Sequence, residues 1–535
     1  MIRHLIPLVI RSLCQRAGAF APDAPRRVGP LALALAGTLV LAAASARANV
    51  RLPGLFSDHM VLQQGVNVSV WGWADEGEKV TVQFRGQQVS AAAHEGKWMV
   101  CLRPLAAGGP DALKVSGKNE IRINDVLVGE VWVCSGQSNM EWPLRASYKA
   151  QTDIADSTNP RIRLFTVPKL RADAPANNVP ATWQECNPQT SPGFSAVGYY
   201  FGRELQAARR VPVGLIHTSW GGSPAEVWMS QDVLEANVDY RLNILEAYPS
   251  QSKAYQEALA KWDQETQQLK QAGKQQTRGR PWPPWKPTEL YSGMIAPLLP
   301  YAVKGAIWYQ GESNAGRAYQ YRSLFVDMIR NWRRDWQQGD VTFLAVQLAP
   351  WDRNQGRSLA QITAAPTESD WAELREAQVF ATQTLPKVGL AIITDVGDKD
   401  DIHPTKKQPV GARLARLARR IAYGELIVAT GPTYRTMTVA GGKAILSFDN
   451  VGTGLVARDG ELTGFAIAGA DRNFVWAKAA IDGDRVVVNS PEVSQPVAVR
   501  YGWADFPVVN LCNREGLPAS PFRTDNFPMV SGPKK

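Results

Sequence analysis

The sequence has few of the residues from which proteins build metal sites, and it lacks the charge clusters of nucleic-acid-binding proteins. Its 535 residues include only five cysteines and five histidines. No two cysteines stand in a CxxC spacing, so a zinc site built on cysteines is not expected. The formal net charge is +10, but the lysines and arginines are scattered without long runs. This pattern argues against a nucleic-acid-binding or membrane-surface protein.

The first 48 residues have the layout of a secretory signal peptide. Basic residues up to Arg26 and Arg27 precede an apolar run at 31–44, and small residues ending at Ala48 form the cleavage site. The run is shorter than the ~20 residues that a membrane-crossing helix needs. The arginine pair is a weak match to a twin-arginine signal. We predict that residues 1–48 are removed, and that the mature protein starts at Asn49, has no membrane span and is periplasmic or secreted.

Much of the basic charge and one of the cysteines belong to this N-terminal segment. It carries six arginines and one aspartate, so the remaining chain has a net charge of +5 rather than +10. Four cysteines remain: Cys101, Cys134, Cys186 and Cys512. In an exported chain they form disulfides, with three alternative pairings, or stay buried as thiols, and the sequence favours neither.

The remaining chain divides by its pattern into three regions. Residues 49–125 contain short alternating strands such as "VNVSVWGWA" and "EKVTVQFRG", which indicate an antiparallel β-sandwich module. Residues 126–424 alternate apolar strands such as "VPVGLIHTSW" with amphipathic helices, which predicts an α/β region with a parallel sheet between helices. Residues 425–535 return to short strands and are predicted to form a second all-β module.

One segment of the α/β region looks like an insertion between strands, at about 231–287. A polar helix is followed by the proline-rich stretch "GRPWPPWKPTELYSGM". Its Trp282 and Trp285 are candidates for stacking on sugar rings at the edge of a cleft. The alternative is a proline-stiffened loop that packs its own aromatic side chains.

Several predicted strands end in small polar clusters, and the carboxyl ends of parallel strands meet at one edge of a sheet. The clusters are Ser135-Gly-Gln-Ser-Asn139, Trp220-Gly-Gly-Ser223, Gln310-Gly-Glu-Ser-Asn314 and Asp398-Lys-Asp-Asp-Ile-His-Pro404. A serine hydroxyl becomes a good nucleophile only beside a base, most often histidine. We predict Ser138 as the nucleophile, because Ser135 lies nearer the strand and is expected to serve the turn.

Histidine is scarce enough for the base to be chosen by elimination. His59 and His94 fall in the first β-module and are expected to be structural, while His217 ends a strand without an acid beside it in sequence. His403 follows Asp400 and Asp401 closely, and an acid beside a histidine can fix its tautomer and leave Nε2 free as base. Asp400 is the first choice for this acid, and Asp401 and Asp398 remain alternatives.

Attack on an ester carbonyl creates an oxyanion that needs hydrogen-bond donors. The candidates are the backbone N–H of Ser138, a backbone N–H of Gly221 or Gly222, and a side-chain amide of Gln310 or Asn314.

Taken together, the motifs resemble those of the SGNH (GDSL-like) hydrolases, in particular the carbohydrate esterases related to sialate O-acetylesterase. The similar blocks are "LPGLFSDHMVLQQ", "GEVWVCSGQSNMEWPL", "LIHTSWGGSPAEVWM", "IWYQGESNA" and "DDIHP" followed by Lys406, in the family's order. The chain lacks the Gly-x-Ser-x-Gly elbow of α/β-hydrolases. The resemblance implies a flavodoxin-like parallel sheet flanked by helices, with accessory sandwich or jelly-roll-like β-modules.

The resemblance also implies removal of acetyl groups from carbohydrate by a serine mechanism, without a metal or another cofactor. Carried over by position, the nucleophile is Ser138, the base is His403 and the acid is Asp400, with the doubled Asp400-Asp401 leaving the acid open. The oxyanion donors are Gly221 or Gly222 and Asn314 or Gln310. We add Glu312, His217, Trp282 and Trp285 as candidate substrate-binding residues.

Two classes of function follow from these predictions. The first is an O-acetylesterase acting on acetylated carbohydrate, either a plant cell-wall glycan such as xyloglucan or xylan or a sialic acid. The insertion and its tryptophans favour the glycan slightly. The alternative is a non-catalytic glycan-binding protein in which the serine loop is vestigial.

Overall fold

The computed structural model describes residues 49–533, so the predicted signal peptide lies outside the described residues. Within this range, no helix is both long and apolar enough to cross a membrane. The described residues begin with a β-module in which all strand pairs but one are antiparallel. Its strands are β1 (Val61–Gln63), β2 (Val68–Trp73), β3 (Lys79–Phe84), β4 (Gln87–Ala92), β5 (Lys97–Leu102), β6 (Gly108–Ser116) and β7 (Glu120–Gly136).

The strand β7 belongs both to the first module and to the central sheet. Its first half pairs antiparallel with β6, and its second half continues into a parallel sheet. The predicted boundary at 125–126 therefore falls inside one continuous strand of 17 residues. From Val128 to Gly136 every residue of β7 is buried, because this half is covered on both faces.

The central sheet has the predicted parallel character. Its strands beyond β7 are β8 (Asn159–Thr166), β9 (Gln184–Cys186), β10 (Val213–Ser219), β11 (Gly305–Tyr309), β12 (Thr342–Val346) and β13 (Val388–Ala391). The order is β13-β12-β11-β7-β10-β8-β9, and all neighbours are parallel except β8 and β9. The α/β fold class with flanking helices is confirmed.

The α-helices of the described residues are α1 (Ser138–Glu141), α2 (Ala150–Ala155), α3 (Ala196–Arg209), α4 (Gln231–Ala236), α5 (Val238–Tyr240), α6 (Tyr248–Gln271), α7 (Ala318–Trp336), α8 (Leu359–Ile362), α9 (Asp370–Thr384) and α10 (Gln408–Ile421). Helices α7 and α9 cover one face of the sheet, and α3 and α10 cover the other. Alternate strand residues face opposite cores. Val131 and Val133 join the core that includes α7 and α9 residues, and Trp132 and Cys134 join the one with α3 and α10 residues.

The predicted insertion contains α4, α5, α6 and an irregular stretch after α6. The 24-residue helix α6 has no buried residue, which explains why its sequence is polar around most of its circumference. Trp282, in the stretch that follows, is 90% exposed.

The C-terminal region is all-β, as predicted. Its strands are β14 (Thr433–Ala440), β15 (Lys443–Asp449), β16 (Leu455–Ala457), β17 (Phe465–Ala468), β18 (Val475–Trp476), β19 (Lys478–Asp482), β20 (Arg485–Asn489), β21 (Ala498–Tyr501), β22 (Leu511–Asn513) and β23 (Phe522–Arg523). The four-stranded sheets β14-β15-β20-β19 and β18-β17-β21-β23 share one apolar core. The buried Arg375 of α9 donates to the carbonyls of Ala504 and Asp505, which fastens this module to the α/β region.

The structure shows no disulfide among the four cysteines of residues 49–533. Cys134, Cys186 and Cys512 are buried free thiols, and the Sγ of Cys101 lies 3.9 Å from Ser69 Oγ. Burial raises the pKa of the Cys186 thiol to about 12. The thiol alternative is therefore the one that the structure shows for these three residues.

Candidate active site

Ser138 is delivered to the carboxyl edge of the central sheet by β7. It is the first residue of the short helix α1, directly after the last residues of the strand. Gly136 makes this turn, with φ of +139°, and a Cβ there would lie 2.2 Å from the carbonyl oxygen of Tyr309. The N–H of Gln137 donates to the same carbonyl at 3.0 Å. The turn is therefore built against β11, and only glycine fits at its start.

His403 meets Ser138 across the sheet edge. Its Nε2 lies 2.8 Å from Ser138 Oγ, although the two residues are 265 positions apart. Both side chains line a cavity of about 580 Å³, which also includes Trp142, Arg145, Lys169, His217, Ser219 and Glu141. Burial lowers the pKa of His403 below its usual 6.5, and the charge of Lys407 lowers it further, while Asp401 opposes both effects. The imidazole is thus kept in the neutral form that can accept a proton.

The structure places Asp401, rather than Asp400, beside His403. Asp401 Oδ1 accepts a hydrogen bond from the His403 N–H at 2.8 Å and lies 3.6 Å from His403 Nδ1. The Asp400 carboxylate instead accepts from Lys399 Nζ and from the Gly356 N–H. Asp398 accepts from the backbone N–H of Asp400. The carboxylate nearest to His403 is thus that of Asp401, because Asp400 turns toward another loop.

The predicted oxyanion donors differ in whether their hydrogen atoms are available. The Gly221 N–H already donates to Glu141 Oε2 at 2.6 Å. Gly222, with φ of +75°, has open space where a Cβ would lie. Ser138 begins a helix, where the first N–H groups lack acceptors within the helix.

The side-chain amides of Gln310 and Asn314 are buried and already bonded. Gln310 Nε2 donates to Asn314 Oδ1 at 2.6 Å and to the Ser223 carbonyl at 3.3 Å. Asn314 Nδ2 donates to Glu226 Oε2 at 2.9 Å. These amides connect the segments that follow β10 and β11, and they do not line the cavity.

The candidate substrate-binding residues fall in three different environments. Trp285 packs edge to face on Trp220 with ring centroids 5.4 Å apart, and Arg171 stacks over Trp285 at 4.2 Å. Trp282 stands exposed nearby in sequence. His217 lines the cavity, its Nε2 is 2.6 Å from Ser219 Oγ, and burial lowers its pKa to about 4.

Glu312 is not at the cavity wall. It is half-buried behind the site, where Oε1 accepts from Asn139 Nδ2 at 2.6 Å. Burial raises the pKa of Glu312.

Sequence reasoning missed two residues around this carboxyl group, Asn139 and Lys407. Lys407 is 1% exposed and its Nζ donates to Asn139 Oδ1. A signal was present, because Lys407 precedes the buried Val410 and Leu414 by three and seven residues and so shares the apolar face of α10.

One cluster outside the cavity has metal-ligand residue types. His59, Asp125 and Glu185 bring ligand atoms within 4.8 Å of one another. The guanidinium of the buried Arg163 bonds to Asp125 and lies 3.1 Å from His59 Nδ1. A cationic side chain therefore already occupies the position that a metal ion would take.

Comparison with known proteins points to the same chemistry as the cavity. The family described as "Carbohydrate esterase, sialic acid-specific acetylesterase" matches residues 128–420. A solved carbohydrate acetylesterase from Xanthomonas citri is 40% identical, with a TM-score of 0.76, and the match covers 89% of this chain and 100% of that one.

Mammalian relatives match over a similar length. Sialate O-acetylesterase from mouse is 27% identical over 90% of this chain and 96% of its own length. The human protein of that name is 27% identical over 92% and 96%. The chain therefore belongs to the sialic acid-specific acetylesterase family of carbohydrate esterases, and its activity is that of a carbohydrate O-acetylesterase.

Proposed function

We propose that the protein releases acetate from sugar hydroxyls through an acetyl-enzyme on Ser138. The observation that carries this proposal is the 2.8 Å distance between Ser138 Oγ and His403 Nε2 at the wall of an open cavity. His403 Nε2 accepts the Ser138 proton while Oγ attacks the acetyl carbonyl carbon. The sugar oxygen leaves with that proton. Water then attacks the acetyl carbonyl, gives its proton to His403, and acetate leaves as Ser138 is restored.

In this mechanism Asp401 is the acid that orients His403. The proposal is supported by its contacts with both the backbone N–H and Nδ1 of His403, at 2.8 and 3.6 Å. A carboxylate at Nδ1 stabilises the imidazolium that forms when Nε2 accepts a proton. Asp400 and Asp398 are assigned no chemical role, because their carboxylates serve the turn around Lys399.

The oxyanion is proposed to bind to the backbone N–H groups of Ser138 and Gly222. Gly221 is the neighbouring donor, but its N–H is engaged by Glu141 in this state. The buried amides of Gln310 and Asn314 are proposed to brace the turn that presents Gly222, since they bond to Ser223 and Glu226 on that segment.

For the substrate, an acetylated glycan of the plant cell-wall type is the first candidate. The aromatic surface of Trp285 and Trp220 and the exposed Trp282 suit stacking on a chain of sugar rings. His217 lines the cavity on the same side as Ser219. Acetylated sialic acid is the second candidate, because mouse and human relatives are named for that activity.

The test is acetate release by residues 49–535 from acetylated xyloglucan, xylan and sialoside substrates, beside Ser138→Ala. We expect release from one class and its loss in the folded variant. Binding without release in the unsubstituted protein would instead support a glycan-binding protein with a vestigial serine. Equal release by both forms would remove Ser138 from the mechanism.

Export is a separate proposal, which rests on the composition of residues 1–48. The N-terminal sequence of protein recovered from an expressing bacterial cell is expected to begin at Asn49. A chain that keeps residues 1–48 would contradict it.

A further inference from the structure

A buried lysine lies directly behind the serine and histidine. Lys407, the residue before α10, is 1% exposed, and its Nζ donates to Asn139 Oδ1 at 2.5 Å. A buried ammonium loses its hydration, and one amide oxygen replaces only part of it. Burial accordingly lowers the pKa of Lys407 to about 7, with Glu312 and Asp401 opposing that shift. Such a group is costly for a protein that needs it only for packing.

Asn139 connects this lysine to the segments that carry Ser138, His403 and Glu312. It follows Ser138 in sequence, and its Nδ2 donates to the carbonyl of Ile402, the residue before His403, at 3.0 Å. The same Nδ2 donates to Glu312 Oε1 at 2.6 Å. Asn139 therefore joins Lys407 to three segments: the one that carries the serine, the one that carries the histidine, and the one after β11.

Lys407 also shares an aromatic neighbour with His403. Its Nζ lies 5.7 Å from the centroid of the Trp142 ring, and that ring stacks on the His403 imidazole at 5.3 Å. Because Lys407 is buried, solvent screens its positive charge only weakly. This charge disfavours a second positive charge on the imidazole.

We propose that Lys407 is a positioning residue of the Ser138–His403 pair: through Asn139 it holds the histidine loop against the serine helix, and it places a positive charge behind the base. The inference rests on the proposed serine mechanism. It adds to that mechanism a positive charge near the His403 imidazole, whose effect on the imidazole is opposite to that of the negative Asp401.

The other charged groups around His403 do not replace this charge. Asp401 lies on the same loop and favours the imidazolium. Across the cavity, Lys169 and Glu141 form an ion pair at 2.5 Å, so their fields largely cancel at the ring. Arg145 stands at the cavity wall with an exposed side chain, where solvent screens it.

The test is the pH dependence of kcat/KM for acetate release in Lys407→Met, Lys407→Arg and the matched control Lys406→Met. Lys406 is the adjacent, exposed lysine. Methionine keeps most of the buried volume, so folding is expected to be retained. Without the lysine charge the His403 pKa rises, and the acidic limb of the profile should move up by about one pH unit. Lys407→Arg and Lys406→Met should leave that limb in place.

A loss of kcat in a folded Lys407→Met with an unmoved acidic limb would overturn the proposal, because packing alone would explain it. Should Lys407→Met fail to fold, Lys407→Gln decides, because its amide is uncharged but can still donate to Asn139. The acidic limb should again move up, and a limb that stays in place or moves down overturns the proposal. Ser138→Ala is measured in parallel to separate the two hypotheses. Activity retained in Ser138→Ala contradicts the serine mechanism. Activity lost in Ser138→Ala, together with an unmoved acidic limb in Lys407→Met, contradicts only the role of Lys407.

Discussion

The serine and the histidine of this site are held by different kinds of structure. Ser138 follows β7, which lies between β10 and β11 in the middle of the sheet, and backbone hydrogen bonds fix the turn before it. His403 lies on the loop between β13 and α10 and is held by side chains, through Asp401, Asn139 and Trp142.

This difference indicates that the nucleophile is held rigidly and that the base can adjust its position. A nucleophile held by a sheet keeps one position. A base held by side chains can shift between Ser138 Oγ and the leaving oxygen, as general acid–base catalysis requires. The comparison predicts that changes in the turn before Ser138 damage the fold, whereas changes in the loop that carries His403 damage the chemistry.

The largest effect is expected from His403→Gly. Loss of the base should lower kcat by about 10⁴-fold with folding retained, because a loop side chain is removed. The position opens on the cavity, so added imidazole should restore part of the activity. Ser138→Ala is the matched control, which added imidazole should not restore. If added imidazole restores no activity to a folded, inactive His403→Gly, the loop that carries His403 would be as rigid as the turn before Ser138.

The next effect concerns stability, in Gly136→Ala compared with Gly356→Ala. A Cβ at Gly136 would lie 2.2 Å from the Tyr309 carbonyl oxygen, whereas at Gly356 it meets nothing within 4 Å. Both glycines have positive φ. We expect a loss of about 3 kcal/mol or more of unfolding free energy for Gly136→Ala and about 1 kcal/mol for Gly356→Ala. Urea denaturation measures both, and equal losses would contradict the rigid serine side.

A smaller effect is expected from Asp401→Asn. Its carboxylate is 54% exposed and 3.6 Å from Nδ1, so it should contribute less than a buried acid in hydrogen-bond contact. We expect kcat/KM to fall by about 10- to 100-fold. Asp400→Asn is the control and should stay near the unsubstituted enzyme, with the double variant no worse than Asp401→Asn. A larger loss in Asp400→Asn would return the acid to the position first predicted.

The serine side could be predicted from sequence because its determinants are local. An apolar strand, Gly136 and a small polar cluster predict a turn with an exposed serine, and the parallel sheet places such turns at one edge. The scarcity of histidine made His403 identifiable without any knowledge of the loop. The α/β class also followed from the alternation of strands and helices.

The remaining assignments depended on contacts between distant segments. Asp400 turns toward Gly356, which is 44 residues away in sequence. The side-chain amide of Asn314 donates to Glu226, and Glu312 accepts from Asn139. No periodicity reports these partners. Lys407 differs from these, because a signal was present although it was missed: its spacing to Val410 and Leu414 places it on the buried face of α10.

The smallest effect should come from Trp142, the residue that connects the two sides. It ends α1 on the serine side, and its ring stacks on His403 at an interplanar angle of 19°. A ring contact of this kind contributes about 0.5–1.5 kcal/mol, so Trp142→Leu should lower kcat by about three- to tenfold, and Trp142→Phe by less. Because the side chain also lines the cavity, kcat and KM must be measured separately. A change in KM alone would show that Trp142 contacts the sugar without orienting the histidine, and the base would then depend on Asp401 and Asn139 for its position.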